Sequence, residues 1–156
     1  MINCTFENGN KSSLRHVVVD TIVLKDNKVL LVKRARKLIE GGKWALAGGY
    51  VERDETTEQA AARETLEETG WEIKDLTLFR VNDNPNRRHE DRQNIVFVYF
   101  CTATKKVGEA DWESDEQKWF NWSNLPAFDD LAFGHSDDIN LYRKYLEESF
   151  PLPIIG

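Results

Sequence analysis

The chain has 156 residues, 40% of them hydrophobic, and its 21 Lys and Arg against 27 Asp and Glu leave a formal net charge of −6 at neutral pH. That length suffices to bury a core and is read as one domain over residues 1–156, while the acidic balance excludes nonspecific attachment to a nucleic-acid backbone, which relies on a basic face. Two distant cysteines, Cys4 and Cys101, exclude a disulfide framework or a cysteine-rich zinc site, and no segment is long and apolar enough to cross a bilayer, so a cytoplasmic protein without membrane partners is expected.

Met1 to Leu14 mixes Asn, Lys, Ser and Glu without an apolar core. From His16 to Leu24 the chain is rich in Val and Ile, and a second apolar run, Val29 to Val32, follows the polar turn Lys25-Asp26-Asn27-Lys28, which predicts a hairpin. Gly48-Gly49 opens an acidic loop, Thr56-Thr57-Glu58-Gln59 fits the capping-box pattern of a helix over Glu58 to Thr69, and Gly70 supplies its stop. Further strands are expected at Leu76 to Val81, at Ile95 to Cys101 and at Lys118 to Trp122, with polar loops at Asn82 to Asn94 and Gly108 to Lys118. A last helix is expected from Asp137 to Glu148, capped by Ser136, with Ile139, Tyr142 and Leu146 on one face and Pro151 beyond its end. Mixed strands with one early and one terminal helix point to an α+β sandwich.

The chemistry concentrates on the first helix. Glu64, Glu67 and Glu68 recur at spacings of three and four, so their carboxylates share one side, while Ala61, Ala62, Thr65, Leu66 and Thr69 offer a packing side. Clustered like charges cost stability unless a cation intervenes, and hard oxygen donors of this kind suit Mg²⁺ or Mn²⁺. Taken alone, the cluster favours a solvated acidic face.

The wider pattern separates the two. Gly49, Glu55, Arg63, Glu64, Glu67, Glu68 and Gly70 match every fixed position of G-x5-E-x7-R-E-U-x-E-E-x-G-U, with U apolar, and so resemble the Nudix box. Thr65 and Trp71 depart at the softer apolar positions, and Trp44-Ala45-Leu46-Ala47-Gly48-Gly49 is similar to the family's W-x-x-P-G-G approach with Ala47 in place of proline. The resemblance implies a Nudix-type α/β/α sandwich with a mixed β-sheet. It also implies a catalytic Mg²⁺, or Mn²⁺, held by Glu64, Glu67, Glu68 and the Gly48 carbonyl, with Arg63 and Glu55 supporting the catalytic cluster. For the general base it leaves Glu68, Glu90, Glu113 and Glu116 open.

The substrate is read outside the box. Val81 to His89 resembles the proline loop of ADP-ribose pyrophosphatases, with Pro85, Asn86 and Arg87 aligning and Arg88 to Arg92 departing, which makes Pro85, Arg87 and Arg88 the candidates for substrate binding. Leu131-Ala132-Phe133-Gly134-His135 is similar to C-terminal elements of related proteins, and Phe133 is assigned to packing rather than to a base. His16, His89 and His135 form no ligand-spaced set. The expectation is a small-molecule nucleotide substrate, with ADP-ribose cut to AMP and ribose 5-phosphate. A (d)NTP pyrophosphohydrolase and a non-catalytic nucleotide-sugar sensor are the alternatives, and a homodimer is implied by analogy with related enzymes.

Overall fold

The computed structural model describes residues 1–86 and 93–156. Its elements are, in order, β1 (Ile2–Thr5), β2 (Lys11–Leu14), β3 (Val17–Lys25), β4 (Lys28–Arg34), β5 (Trp44–Ala45), β6 (Ala47–Tyr50), α1 (Thr57–Thr69), β7 (Trp71–Asn82), β8 (Ile95–Lys106), β9 (Ser114–Asn121), α2 (His135–Glu147) and β10 (Ile154–Ile155), with a 3-10 turn at Phe128–Asp130. Strands β1 and β2 form a separate antiparallel pair, and the other eight build one mixed sheet in the order β10-β7-β8-β3-β4-β5, with β6 on β3 and β9 on β4.

Strand β3 organises this sheet. Its residues Val18 to Val23 are all buried, the pattern of a strand covered on both faces. It runs parallel to β8 from Val17 beside Ile95 to Leu24 beside Thr102. On its other edge the β3-β4 hairpin turns through Asp26 and Asn27, both at positive φ (49° and 56°), as a two-residue turn between right-twisted strands requires. Only three residue pairs join the two strands, Val23 with Leu30, Leu24 with Val29 and Lys25 with Lys28. Beyond them β4 swings away to pair with β9 and β5, and β6 takes the vacated edge of β3 through Val18 to Thr21. The sheet is therefore forked, and Gly48 and Gly49 lie on the inner tine.

Each face carries a helix. Ala60 and Ala61 of α1 pack on Val19 and Tyr99, while Ile139 and Tyr142 of α2 pack on Val18, Ile22, Phe79, Val96 and Val98. The result is the α+β, α/β/α arrangement expected from sequence. Phe79, fully buried, meets Tyr142 edge-on at 5.5 Å between ring centroids, the aromatic geometry favoured by ring quadrupoles.

Several local expectations need correction. The β1-β2 hairpin and the short β5, β6 and β10 carry too few periodic residues to register as strands; β9 begins at Ser114, inside the segment read as loop. Strand β7 is about twice its expected length because it starts directly after the α1 stop. Ser136 is not the cap of α2: Gly134 is, without a side-chain bond, and Ser136 is buried within the first turn. Leu146 is 53% exposed, because Tyr145 rather than Leu146 continues the apolar face, meeting Phe79 at 5.8 Å.

The ends of α1 follow the sequence closely. Thr56 Oγ1 accepts from Gln59 N (3.2 Å) and Thr56 N donates to Gln59 Oε1 (2.8 Å), the reciprocal capping box. Gly70 closes the helix at φ 71°, donating to Leu66 O at 2.8 Å. A Cβ at Gly70 would also collide with the Gly108 carbonyl oxygen, so glycine is demanded twice over. Gly70→Ala is expected to destabilise the protein by roughly 2 kcal/mol or more, from left-handed strain plus the clash, as measured by urea unfolding.

Candidate active site at the fork of the sheet

The acidic face of α1 meets the inner tine at Gly48 and Gly49. The bare backbone leaves room here: a Cβ at Gly49 would displace the Glu64 carboxylate, and one at Gly48 would collide with the Val19 carbonyl of β3. Arg63 sits at the centre and uses all five of its N–H donors. Nε and Nη2 grip Glu55 bidentately at 3.1 and 2.7 Å, Nη1 donates to Glu64 Oε1 (2.8 Å) and Glu67 Oε2 (3.1 Å), and Nη2 also donates to the Tyr50 carbonyl at 3.0 Å. Glu55 in turn accepts from Glu52 N at 2.7 Å, so the acidic loop is tied to the helix at both of its oxygens. Hydrogen bonds from Arg63 and then from Glu52 hold the Glu55 carboxyl below its ordinary pKa.

Burial divides the three box glutamates. Glu67 is half exposed, with 52% of its side chain accessible. Glu64 is largely covered, and burial raises its pKa against the opposing pull of Arg63. Glu68 is buried within the fold, accepts from Gly48 N at 3.1 Å, and is pushed up to about 8, chiefly by burial and secondarily by the charge of Glu64. This alters the sequence picture of one polar and one packing side. Glu68 joins the buried Ala60, Ala61, Thr65 and Thr69, while Leu66 is 40% exposed. Thr65 fills the interior position where the box expects an aliphatic residue.

Among the described residues no three Asp, Glu, His or Cys side chains are gathered tightly enough to cage a cation as they stand. Arg63 bridges Glu64 and Glu67, and Glu68 faces the Gly48 amide. The donor set nevertheless fits a hard divalent cation in its chemistry, because two carboxylates whose ionisation is opposed by burial and by neighbouring carboxylates would be relieved by positive charge.

Beside this cluster, on the α2 side of the sheet, opens a cavity of about 440 Å³, in the range of small-molecule sites. Val18, Val96 and Leu46 give it an apolar floor, Phe133 and Leu38 stand among its walls, and Gly49, Glu64 and Glu113 join it to the acidic cluster. Asp20 and His135 also line it: Leu46 N donates to His135 Nδ1 at 3.0 Å, and His135 Nε2 lies 3.3 Å from Asp20 Oδ2. Two cations, Arg34 and Lys37, line the same space, with the Arg34 guanidinium 4.9 Å from the centre of the Phe133 ring. Phe133, assigned from sequence to packing, thus has a face on the cavity as well.

Two buried or bridging cations brace the surroundings. Arg80 of β7 bonds Asp138 of α2 at 2.8 Å, fixing the helix that carries His135; burial and then the charge of Asp20 raise the Asp138 pKa, opposed by Arg80. Arg15 reaches the carbonyls of Asp83 (2.6 Å) and Asn94 (3.3 Å) and also that of Gln93, so it clasps both ends of the loop between β7 and β8. Of the substrate-loop candidates, Pro85 lies in an exposed turn and is not among the residues lining the cavity, whereas Arg87 and Arg88 fall outside the described residues, as does Glu90. Glu113 lines the cavity, while Glu116 stands on β9 facing Lys33 at 3.9 Å. Sequence reasoning missed Asp20, Arg15, Arg34 and Lys37, and the partnership of His135. Only Asp20 carried a signal, as a charge within an apolar strand run.

The chain matches the family model described as the NUDIX domain over residues 14–145. It is 37% identical over 133 residues to an ADP-ribose pyrophosphatase of Methanocaldococcus jannaschii, covering 83% of this chain and 73% of that protein. An 8-oxo-dGTP diphosphatase of Proteus vulgaris is 38% identical over 95 residues, 60% of this chain and 85% of the other. Among solved structures, a NUDIX hydrolase from Nitrosomonas europaea superposes with a TM-score of 0.80 at 27% identity, covering 99% of this chain and 92% of that one. The chain therefore belongs to the Nudix family. That membership makes it a hydrolase acting on phosphoanhydride bonds. Among the described residues no helix is long and apolar enough to cross a membrane.

The pKa of Glu68 gives a stability test. An acid whose folded pKa lies above its unfolded value binds its proton more tightly when folded, so its stabilising contribution is lost as pH rises from about 4.5 towards about 8. With divalent cations chelated, wild type is expected to lose roughly 1–3 kcal/mol across that window. Glu68→Gln should flatten the loss; urea unfolding at several pH values measures both.

Proposed function

We propose that the protein hydrolyses ADP-ribose to AMP and ribose 5-phosphate with the help of a divalent cation, Mg²⁺ or Mn²⁺. The observation that carries this reading is the continuity of the cavity with the acidic cluster: an apolar, nucleoside-sized space opens directly at Gly49, Glu64 and Glu113. A nucleoside lodged there leads its diphosphate onto the box. The identity to an archaeal ADP-ribose pyrophosphatase over most of the chain supports that substrate over others.

Glu64, Glu67 and Glu68, with the Gly48 carbonyl, would hold the cation. Bound there, it supplies neutralisation of the diphosphate and acidification of water. The chain's own groups do the rest. Arg63 and Glu55 set the directions of the carboxylates, Arg34 and Lys37 offset phosphate charge in an otherwise acidic protein, and Glu113, which lines the cavity, would take a proton from water. A (d)NTP pyrophosphohydrolase is the second reading, favoured by the similarity to an 8-oxo-dGTP diphosphatase and served by the same residues.

A panel of ADP-ribose, other nucleoside diphosphate sugars and (d)NTPs, with product identification, tests the substrate: AMP and ribose 5-phosphate are expected as the main products. Fast cleavage of a dNTP beside an inert ADP-ribose selects the second reading, and tight ADP-ribose binding without products under several divalent metals selects a sensor. Glu67→Gln and Glu68→Gln are each expected to lower kcat by about 100-fold or more at saturating Mg²⁺ while the protein still unfolds cooperatively. Near-normal turnover in either variant overturns its assignment.

A further inference from the structure

Asp20 is a carboxylate in the middle of the central strand, 8% exposed, on the face that α2 covers. Its surroundings fix it tightly. Because His135 Nδ1 accepts the Leu46 N–H, the imidazole proton stands on Nε2, which lies 3.3 Å from Asp20 Oδ2. Arg80, through Asp138, fixes the helix from which His135 projects. An imidazole N–H beside the carboxylate orients it, and a carboxylate accepts through several lone pairs.

Asp20 and His135 both line the cavity, whose neighbouring surface is the apolar set Val18, Leu46, Val96 and Phe133. Apolar surface with an oriented acceptor beside it suits the edge of a planar heterocycle. The negative charge also disfavours phosphate at this point and leaves it to the cation-binding end. A purine bearing an exocyclic amine can donate to Asp20; one bearing a carbonyl there sets two acceptors against each other, and a site built to pair a donor rejects its absence strongly.

We propose that Asp20, oriented by His135, is the specificity-determining acceptor of this cavity, taking an N–H from the 6-amino group of the substrate's nucleobase and so selecting adenine over its 6-carbonyl counterpart, hypoxanthine. The proposal rests on the cavity taking the nucleoside half of the substrate. His135 is a positioning residue in it.

The test is calorimetric binding of AMP and IMP to the full chain, in wild type, Asp20→Asn and His135→Gln, beside KM and kcat for ADP-ribose and its hypoxanthine analogue. Wild type is expected to bind AMP about 10- to 100-fold more tightly than IMP. Asp20→Asn should bring the two within about threefold, and His135→Gln should narrow the gap without closing it. Equal affinities in wild type overturn the proposal, and that comparison needs no variant to fold. A preference that survives Asp20→Asn, or a loss shared alike by both bases, overturns it as well. If ADP-ribose is not cut but the Asp20-dependent preference for AMP holds, the substrate reading fails and this one stands; if ADP-ribose is cut without base preference, only this one fails.

Discussion

Three carboxylates stand at the top of α1 and its preceding loop because one guanidinium holds them there. Arg63 spends every donor it has on Glu55, Glu64, Glu67 and the Tyr50 carbonyl, and so joins helix, loop and inner strand at a single point. A lysine offers one point charge and no planar fork, and could not grip Glu55 bidentately while spanning the other two. Glycine completes the arrangement, since the strand must come close enough for Glu64 to lie against Gly49 and for Glu68 to meet the Gly48 amide. The proposed cation-binding chemistry and the local architecture thus share the same atoms.

The forked sheet supplies the other half of the site. A β3-β4 hairpin paired along its full length would bring β4 against the edge of β3 that β6 occupies. By parting after three residue pairs, the strands admit β6 and leave room for a cavity between the sheet and the segments before β5 and α2. The apolar floor and the carboxylates then adjoin because Gly48 and Gly49 belong to both. Burying Glu68 at that junction raises its pKa, a strain on the fold that is the counterpart of an acid ready for a cation.

Much of this was legible in the sequence. The capping box at Thr56 and the stop at Gly70 are local patterns, so spacing alone sufficed for them, whereas the Nudix box was legible through its resemblance to a family pattern. The interior of α1 was less legible, because Leu66 lies outward and Glu68 inward, and the apolar periodicity that sequence reading depends on is reversed at those positions. Strands β5 and β6 have too few residues to show alternation, and they exist through their partners. Asp20 and His135, 115 positions apart, meet only through tertiary packing, and neither belongs to a motif that would name the other. The α+β architecture was legible because β3, β8 and the two helices each carry enough apolar length to declare themselves.

Among the described residues, Arg15 holds the loop between β7 and β8 by main-chain carbonyls, at Asp83, Gln93 and Asn94. Every residue type possesses a carbonyl, so this anchorage reads geometry and ignores side-chain identity. Substitutions at the anchor positions leave the accepting carbonyls in place. A lineage built on this frame can therefore trial new chemistry there while inheriting Arg63, the paired glycines and the fork unchanged.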